Sequence, residues 1–179
     1  MTIAAGAPGW LVALLFVLLA LAAVEDGWRL RVSNLIVAGV AASGVAAIVL
    51  THAGWDAWQP ILLALALLAA GTPMFGAGWM GGGDVKLIAA SGLWFTLSGG
   101  WRMLVMVAIA GGVLTVLILL IRLLPWSEPA KQRVVMLRRR GGIPYGVAIA
   151  MGVAAAVMLA RAPPPKTSAM PSTSLVVPH

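Results

Sequence analysis

Long apolar runs separated by short polar segments are the main pattern along the chain. Runs of this length and composition are typical of membrane-embedded helices rather than of half-buried strands, which would alternate with a period of two. Six helices are predicted, over about residues 10–24, 34–50, 60–70, 84–97, 101–124 and 143–159.

Polar, proline and glycine residues mark the expected helix ends. Ser33 or Asn34 is suited to cap the second helix, and Pro60 fits the first turn of the third. Gly71 and Pro73 are expected to interrupt the third helix, because both residue types disfavour helix interiors. Two adjacent glycines, at residues 99–100, are expected to form the turn before the fifth helix.

Composition assigns these helices to a membrane. The 179 residues are 61% hydrophobic and only 9% charged, too few charges to cover the surface of a soluble domain. The sequence therefore predicts an all-α, polytopic bundle of about six transmembrane helices in a lipid bilayer. One domain is expected over residues 1–161, and the Pro/Ser/Thr-rich residues 162–179 are expected to be a disordered tail.

Cofactor and nucleic-acid binding are not expected. The chain has no cysteine, and its two histidines, His52 and His179, have no acidic or histidine neighbour at ligand spacing, so no metal site is predicted. The net charge of +7 is explained by basic residues flanking membrane helices, and no soluble basic domain remains to bind a duplex. Nothing in the sequence defines an oligomeric state.

The distribution of basic residues predicts the orientation. With six spans, nine Lys and Arg fall on one side and three on the other, so the first side is expected to be cytoplasmic and both termini outside. The two sets are Arg29, Arg31, Lys86, Arg122, Lys131, Arg133, Arg138, Arg139 and Arg140 against Arg102, Arg161 and Lys166. A cleaved signal peptide is the alternative for the first run, but no Lys or Arg precedes it, which favours a retained helix.

Two of the five acidic residues, Asp26 and Asp84, fall at the expected cytoplasmic ends of the first and fourth helices. If they meet, the two carboxyls cannot comfortably both ionise: one keeps a proton while the other acts as a base, as in aspartic proteases. Taken singly, Asp26 is also compatible with an ion pair to Arg29, and Asp84 with a helix cap.

The glycine run Gly81-Gly82-Gly83 before Asp84 also has two interpretations. It can serve as a turn that lets helices pack closely, or it can let an extended substrate approach the acid.

Three motifs together resemble the prepilin peptidases, the GxGD class of membrane aspartic proteases. Residues 81–87, GGGDVKL, resemble the GxGDxKL signature, and Asp26 is followed eight residues later by Asn34, as in the first catalytic motif. Val32-Ser33 replace the usual Ile-Pro before that Asn. Residues 144–146, Pro-Tyr-Gly, resemble the family's motif at the head of the last helix.

The resemblance implies that Asp26 and Asp84 are the catalytic pair. It makes Gly81, Gly83, Lys86, Asn34 and Tyr145 candidate substrate-binding or loop residues. The substrates implied are pre-pilins or pseudopilins, cut at the cytoplasmic face of the bacterial inner membrane. Since helix one begins near residue 10 and cysteine is absent, the chain resembles the short, peptidase-only branch of Flp or tight-adherence systems, without methyltransferase activity.

Two other classes remain open at this stage. A transporter or proton relay would use the same acids as relay groups. A structural assembly subunit would use them only to orient loops, and would tolerate their replacement by Asn.

Overall fold

The computed structural model describes residues 2–51, 54–123 and 144–162, and within them it is helical with no strand, which confirms the all-α prediction. Seven α-helices and one short 3-10 helix (Gly54–Ala57) make up this part of the chain. The α-helices are α1 (Ile3–Gly6), α2 (Gly9–Arg29), α3 (Asn34–Leu50), α4 (Trp58–Gly76), α5 (Gly82–Gly92), α6 (Leu97–Leu123) and α7 (Tyr145–Arg161). The predicted tail beyond Ala162, the basic loop 125–140 and His52 lie outside the described residues.

Helix α2 extends past the predicted end at Val24, so Asp26 lies within its last turns. The helix stops at Leu30, which adopts the left-handed conformation (φ 52°) and donates its N–H to the carbonyl of Asp26 at 2.8 Å. This is the αL ending that more often uses glycine. The chain then turns sharply, and Ser33 caps α3 by accepting the Leu35 N–H at 3.1 Å, as predicted.

Two predicted interruptions were wrong. Helix α4 continues through Gly71 and Pro73 to Gly76, and α6 begins before Gly99 and Gly100. These glycines permit close helix contacts instead: a Cβ on Gly71 would lie 2.5 Å from Val85, and one on Gly100 would clash with a Leu63 methyl group. Glycine is used in this way where membrane helices approach closely.

Helix α5 begins inside the glycine run, earlier than predicted, and ends at Gly92 rather than near Leu97. Its 11 residues rise only about 16 Å, compared with about 30 Å for the hydrocarbon core of a bilayer. Seven of these residues are buried, and α5 packs against α3, α4 and α7.

Helix α1 meets the far end of α5. The Ala4 N–H donates to the carbonyl of Trp94 at 3.0 Å, and Arg161 at the end of α7 donates to the carbonyls of Ala4 and Ala7 at 3.1 and 2.9 Å. A Cβ on Gly99 would contact Thr2, so α6 starts at the end of the bundle where α2 starts. The chain therefore alternates between two ends of the bundle despite the short α5.

Three helical segments are long and apolar enough to cross a membrane: Gly9–Arg29, Gly54–Gly76 and Leu97–Ile121. Helices α3 and α7 are apolar but have only 17 residues each. Large apolar side chains are exposed along the long segments, which is the surface that lipid covers. Six tryptophans are exposed close to helix ends, as in an aromatic belt: Trp10, Trp28, Trp55, Trp58, Trp79 and Trp101.

Candidate functional site: a buried pair of carboxyls

Asp26 is buried in the last turns of α2, against the start of α7, with only 2% of its surface exposed. Its Oδ2 accepts a hydrogen bond of 2.7 Å from the backbone N–H of Gly146, at the start of α7. The first turn of a helix has unpaired N–H groups, and here one of them binds the carboxyl. A Cβ on Gly146 would lie 2.9 Å from the Cβ, Cγ and Oδ2 of Asp26, so this contact requires glycine.

Asp84 lies in the first turn of α5 and is 7% exposed. Its Oδ1 has no hydrogen-bond partner among the residues that the structure describes. Asp84 is outside the three membrane-crossing segments. Burial first, and the nearby charge of Asp26 second, raise the pKa of Asp84 from 3.8 to about 7, with the backbone N–H of Gly81 acting in the opposite direction. The two acids predicted to meet are therefore within electrostatic reach of one another.

The glycine run fixes where α5 begins. The carbonyl of Gly81 accepts the N–H groups of Asp84 and Val85, both at 3.1 Å, and a Cβ on Gly81 would lie 2.8 Å from Oδ2 of Asp84. A Cβ on Gly83 would lie 2.9 Å from the backbone oxygen of Val32, in the turn between α2 and α3. Gly83 therefore permits the close packing that one interpretation of this run predicts, whereas the neighbour of Gly81 is Asp84 of the same segment.

Lys86 and Asn34 contact each other, although 52 residues separate them. The Nζ of Lys86 donates to Oδ1 of Asn34 at 3.1 Å, on the exposed side of α5 and α3. Neither residue has a described hydrogen bond to either aspartate. Tyr145 is 41% exposed, and it is the next residue, Gly146, that contacts Asp26.

The α2–α3 turn forms an open cleft of about 670 Å³, and neither Asp26 nor Asp84 lines it. Its lining residues are Glu25, Arg29, Arg31, Val32, Ser33 and Asn34. The Oε2 of Glu25 accepts the backbone N–H of Ser33 at 2.9 Å. Asp26 has no described salt bridge to Arg29, so the ion-pair alternative does not account for its burial.

Two site residues were missed by sequence reasoning. Gly146 is the last residue of the Pro-Tyr-Gly motif, from which only Tyr145 is predicted to belong to the site. Glu25 adjoins Asp26, and because successive helical residues point about 100° apart, its place next to Asp26 in sequence does not put its side chain at the site. No sequence signal indicated that its side chain reaches across the turn to Ser33.

Among the described residues, no group of three or more His, Asp or Glu side chains is arranged to hold a metal ion. The site offers the chemistry of two buried carboxyls: Asp84, whose pKa is raised to about 7, and Asp26, which accepts a backbone N–H. Such a pair can bind water and transfer protons in both directions.

Fold and site together define an α-helical membrane protein with paired buried aspartates. The model of the type IV leader peptidase family matches residues 13–121, more than half of the chain and including both acids. The chain thus belongs to the type IV leader peptidase family, a family of proteases. Neither a curated protein nor a solved structure shows significant similarity to it.

Proposed function

We propose that this protein is a membrane aspartic endopeptidase that removes the leader peptide of type IV or Flp-like pre-pilins. The observation that carries the proposal is the burial of two carboxyls, Asp26 and Asp84, on helices joined by the close contact of the α2–α3 turn with Gly83. Family membership supports a peptidase, and the pre-pilin substrate follows from the resemblance of the three motifs.

In the proposed reaction the two carboxyls share one proton. Asp26, whose Oδ2 accepts the Gly146 N–H, acts as the base of the pair. It takes a proton from a water molecule, which attacks the scissile carbonyl. Asp84 is the protonated acid and donates its proton to the carbonyl oxygen, and collapse of the tetrahedral intermediate transfers a proton to the leaving amine. No metal or cofactor takes part in the proposed reaction.

The proposed location is the cytoplasmic face of the bacterial inner membrane, with both termini outside. The proposal rests on the sequence pattern, in which nine Lys and Arg against three fall on the side of the six predicted spans that is also assigned both acids. Exposed Trp28, two residues after Asp26, and Trp79, five before Asp84, are consistent with acids near the membrane–water interface. At that level water reaches the pair without crossing the bilayer.

The test is a cleavage assay with co-expressed or purified candidate pre-pilins. Asp26→Asn and Asp84→Asn should each abolish leader removal, while the protein still inserts and unfolds at a temperature close to that of the wild type. Asp56→Asn is the matched control, because Asp56 is an acid at the opposite end of the bundle whose Oδ1 accepts from Gln59 at 3.0 Å.

Retained processing in either active-site variant would refute the assignment. Loss of a proton or solute flux in proteoliposomes in the same variants, with no peptide cleavage by the wild type, would instead identify a transporter or proton relay.

A further inference from the structure

We infer that Glu25 is a positioning residue for the carboxyl pair: its side chain closes the α2–α3 turn and thereby sets where Asp84 meets Asp26. The inference rests on the proposed function, since it concerns the alignment of the same two acids. It assigns a role to an acid that the proposed reaction does not use.

The first step is the contact of Glu25 itself. Its Oε2 accepts the Ser33 N–H at 2.9 Å, so the last turn of α2 is tied to the residue that caps α3. Between these two residues the chain reverses through Leu30, the only described non-glycine residue with a positive φ. A leucine in the left-handed conformation is strained, so the turn needs contacts that hold it in place. Glu25 supplies one from within the helix that carries Asp26.

The second step leads from the turn to Asp84. Val32, the residue before Ser33, is buried. Its backbone oxygen lies 2.9 Å from the position that a Cβ on Gly83 would occupy. The backbones of the turn and of α5 therefore touch directly, immediately before Asp84. A shift of the turn must move either the start of α5 or the last turn of α2, because there is no side chain at Gly83 to absorb it.

The third step concerns the outer side of the same turn. Asn34, the residue after Ser33, accepts the hydrogen bond from Lys86 on α5 at 3.1 Å. The turn thus lies between two polar contacts, one to α2 through Glu25 and one to α5 through Lys86. Both acids are placed relative to this segment, and a misplacement of about 1 Å at a catalytic site can cost on the order of 100-fold in rate.

The experiment separates the length of the Glu25 side chain from its charge. Glu25→Gln keeps an oxygen acceptor at the same reach, whereas Glu25→Asp keeps the charge but is one methylene shorter. We expect Glu25→Gln to keep kcat within a few-fold of the wild type, and Glu25→Asp and Glu25→Ala to lower kcat by roughly 100-fold with little change in KM. Asp56→Ala is the matched control for loss of an acid that accepts one hydrogen bond near a helix start.

A second readout distinguishes alignment from general loss of structure. If the carboxyls move apart, the charge of Asp26 raises the pKa of Asp84 less, and the alkaline limb of the pH–rate profile moves to lower pH. We expect this shift in Glu25→Asp and Glu25→Ala but not in Glu25→Gln. If Glu25→Ala does not fold, the Asp and Gln variants alone decide the matter.

Three outcomes would overturn the inference. The first is wild-type kinetics in Glu25→Asp and Glu25→Ala. The second is an equal loss of kcat in Glu25→Gln and Glu25→Ala, which would indicate a role for the charge. The third is a lower kcat in Glu25→Asp and Glu25→Ala with an unchanged pH–rate profile. The proposed function fails separately, when Asp26→Asn or Asp84→Asn retains cleavage. Inactive aspartate variants with a fully active Glu25→Asp would leave the peptidase assignment intact and reject only the positioning role.

Discussion

The backbone N–H of Gly146 donates a 2.7 Å hydrogen bond to Oδ2 of Asp26, across 120 residues of sequence. It joins the start of α7 to the last turns of α2, and it provides a donor that no side chain can remove by changing rotamer. The donor reaches the carboxyl only because the residue is glycine. A main-chain group of the last described helix thus helps to hold an acid of the first membrane-crossing helix.

Gly146→Ala should therefore impair the site. The added methyl group would lie 2.9 Å from three atoms of the buried Asp26 side chain, and overpacking of this kind costs about 1–3 kcal/mol. Displacement of the carboxyl should also lower leader cleavage by roughly 100-fold. Thermal unfolding in detergent and the cleavage assay measure the two effects.

Gly112→Ala in α6 is the control, because a Cβ there meets no atom within 4 Å. It should be neutral or stabilising by up to about 1 kcal/mol, through helix propensity. Equal effects of the two substitutions would show that the close contact at Gly146 is unimportant.

Proteolytic activity should decline as the pH rises through about 7, the pKa of Asp84. Above that value the group proposed as the general acid has lost its proton, and both carboxyls are ionised. The alkaline limb of kcat/KM for a peptide substrate in detergent or nanodiscs measures this directly. A rate that is constant from pH 6 to pH 9 would contradict the role given to Asp84.

The protonation of Asp84 should also make the free energy of unfolding depend on pH. The folded-state pKa of Asp84 is raised, so the folded chain binds its proton more tightly than the unfolded chain, whose value is near 3.8. The contribution of this group to the free energy of unfolding therefore falls as the pH rises from about 4 to about 7, and is level outside that window.

Asp84→Asn removes this titration. The melting temperature of the variant, relative to the wild type, should increase steadily across the same pH interval. A constant difference between the two proteins would indicate that Asp84 titrates normally.

Gly83→Ala should be much more harmful than Gly82→Ala. At Gly83 the methyl group would meet the backbone oxygen of Val32 at 2.9 Å, and a backbone atom cannot rotate away. At Gly82 it would meet the ring of Phe75 at 3.2 Å, and that side chain is 55% exposed and free to move. We expect loss of cleavage by roughly 100-fold in the first variant and a small change in the second. Comparable activities would refute the backbone contact between the turn and α5.

The helical class and a cap of α3 at Ser33 or Asn34 could be predicted from sequence, because each depends on a local pattern. The catalytic pairing of Asp26 with Asp84 stays a prediction that rests on motifs read as a unit. The C-terminal ends of α4 and α5 and the start of α6 could not be predicted. Glycine and proline disfavour helix interiors, but at Gly71 and Gly100 the close approach of a neighbouring helix outweighs the local propensity. Similarly, the partners of Glu25 and Lys86 depend on how the α2–α3 turn folds back, and no spacing rule specifies that.

The shortness of α5 has a consequence for how the protein tolerates different membranes. A lipid-facing helix must match its apolar length to the bilayer, by tilting or by deforming the lipid around it. Helix α5 packs against α3, α4 and α7, so its length does not have to match the thickness of the bilayer. Thickening or thinning of the surrounding lipid acts on α2, α4 and α6, while the span from Asp84 to Gly92 stays governed by protein packing alone.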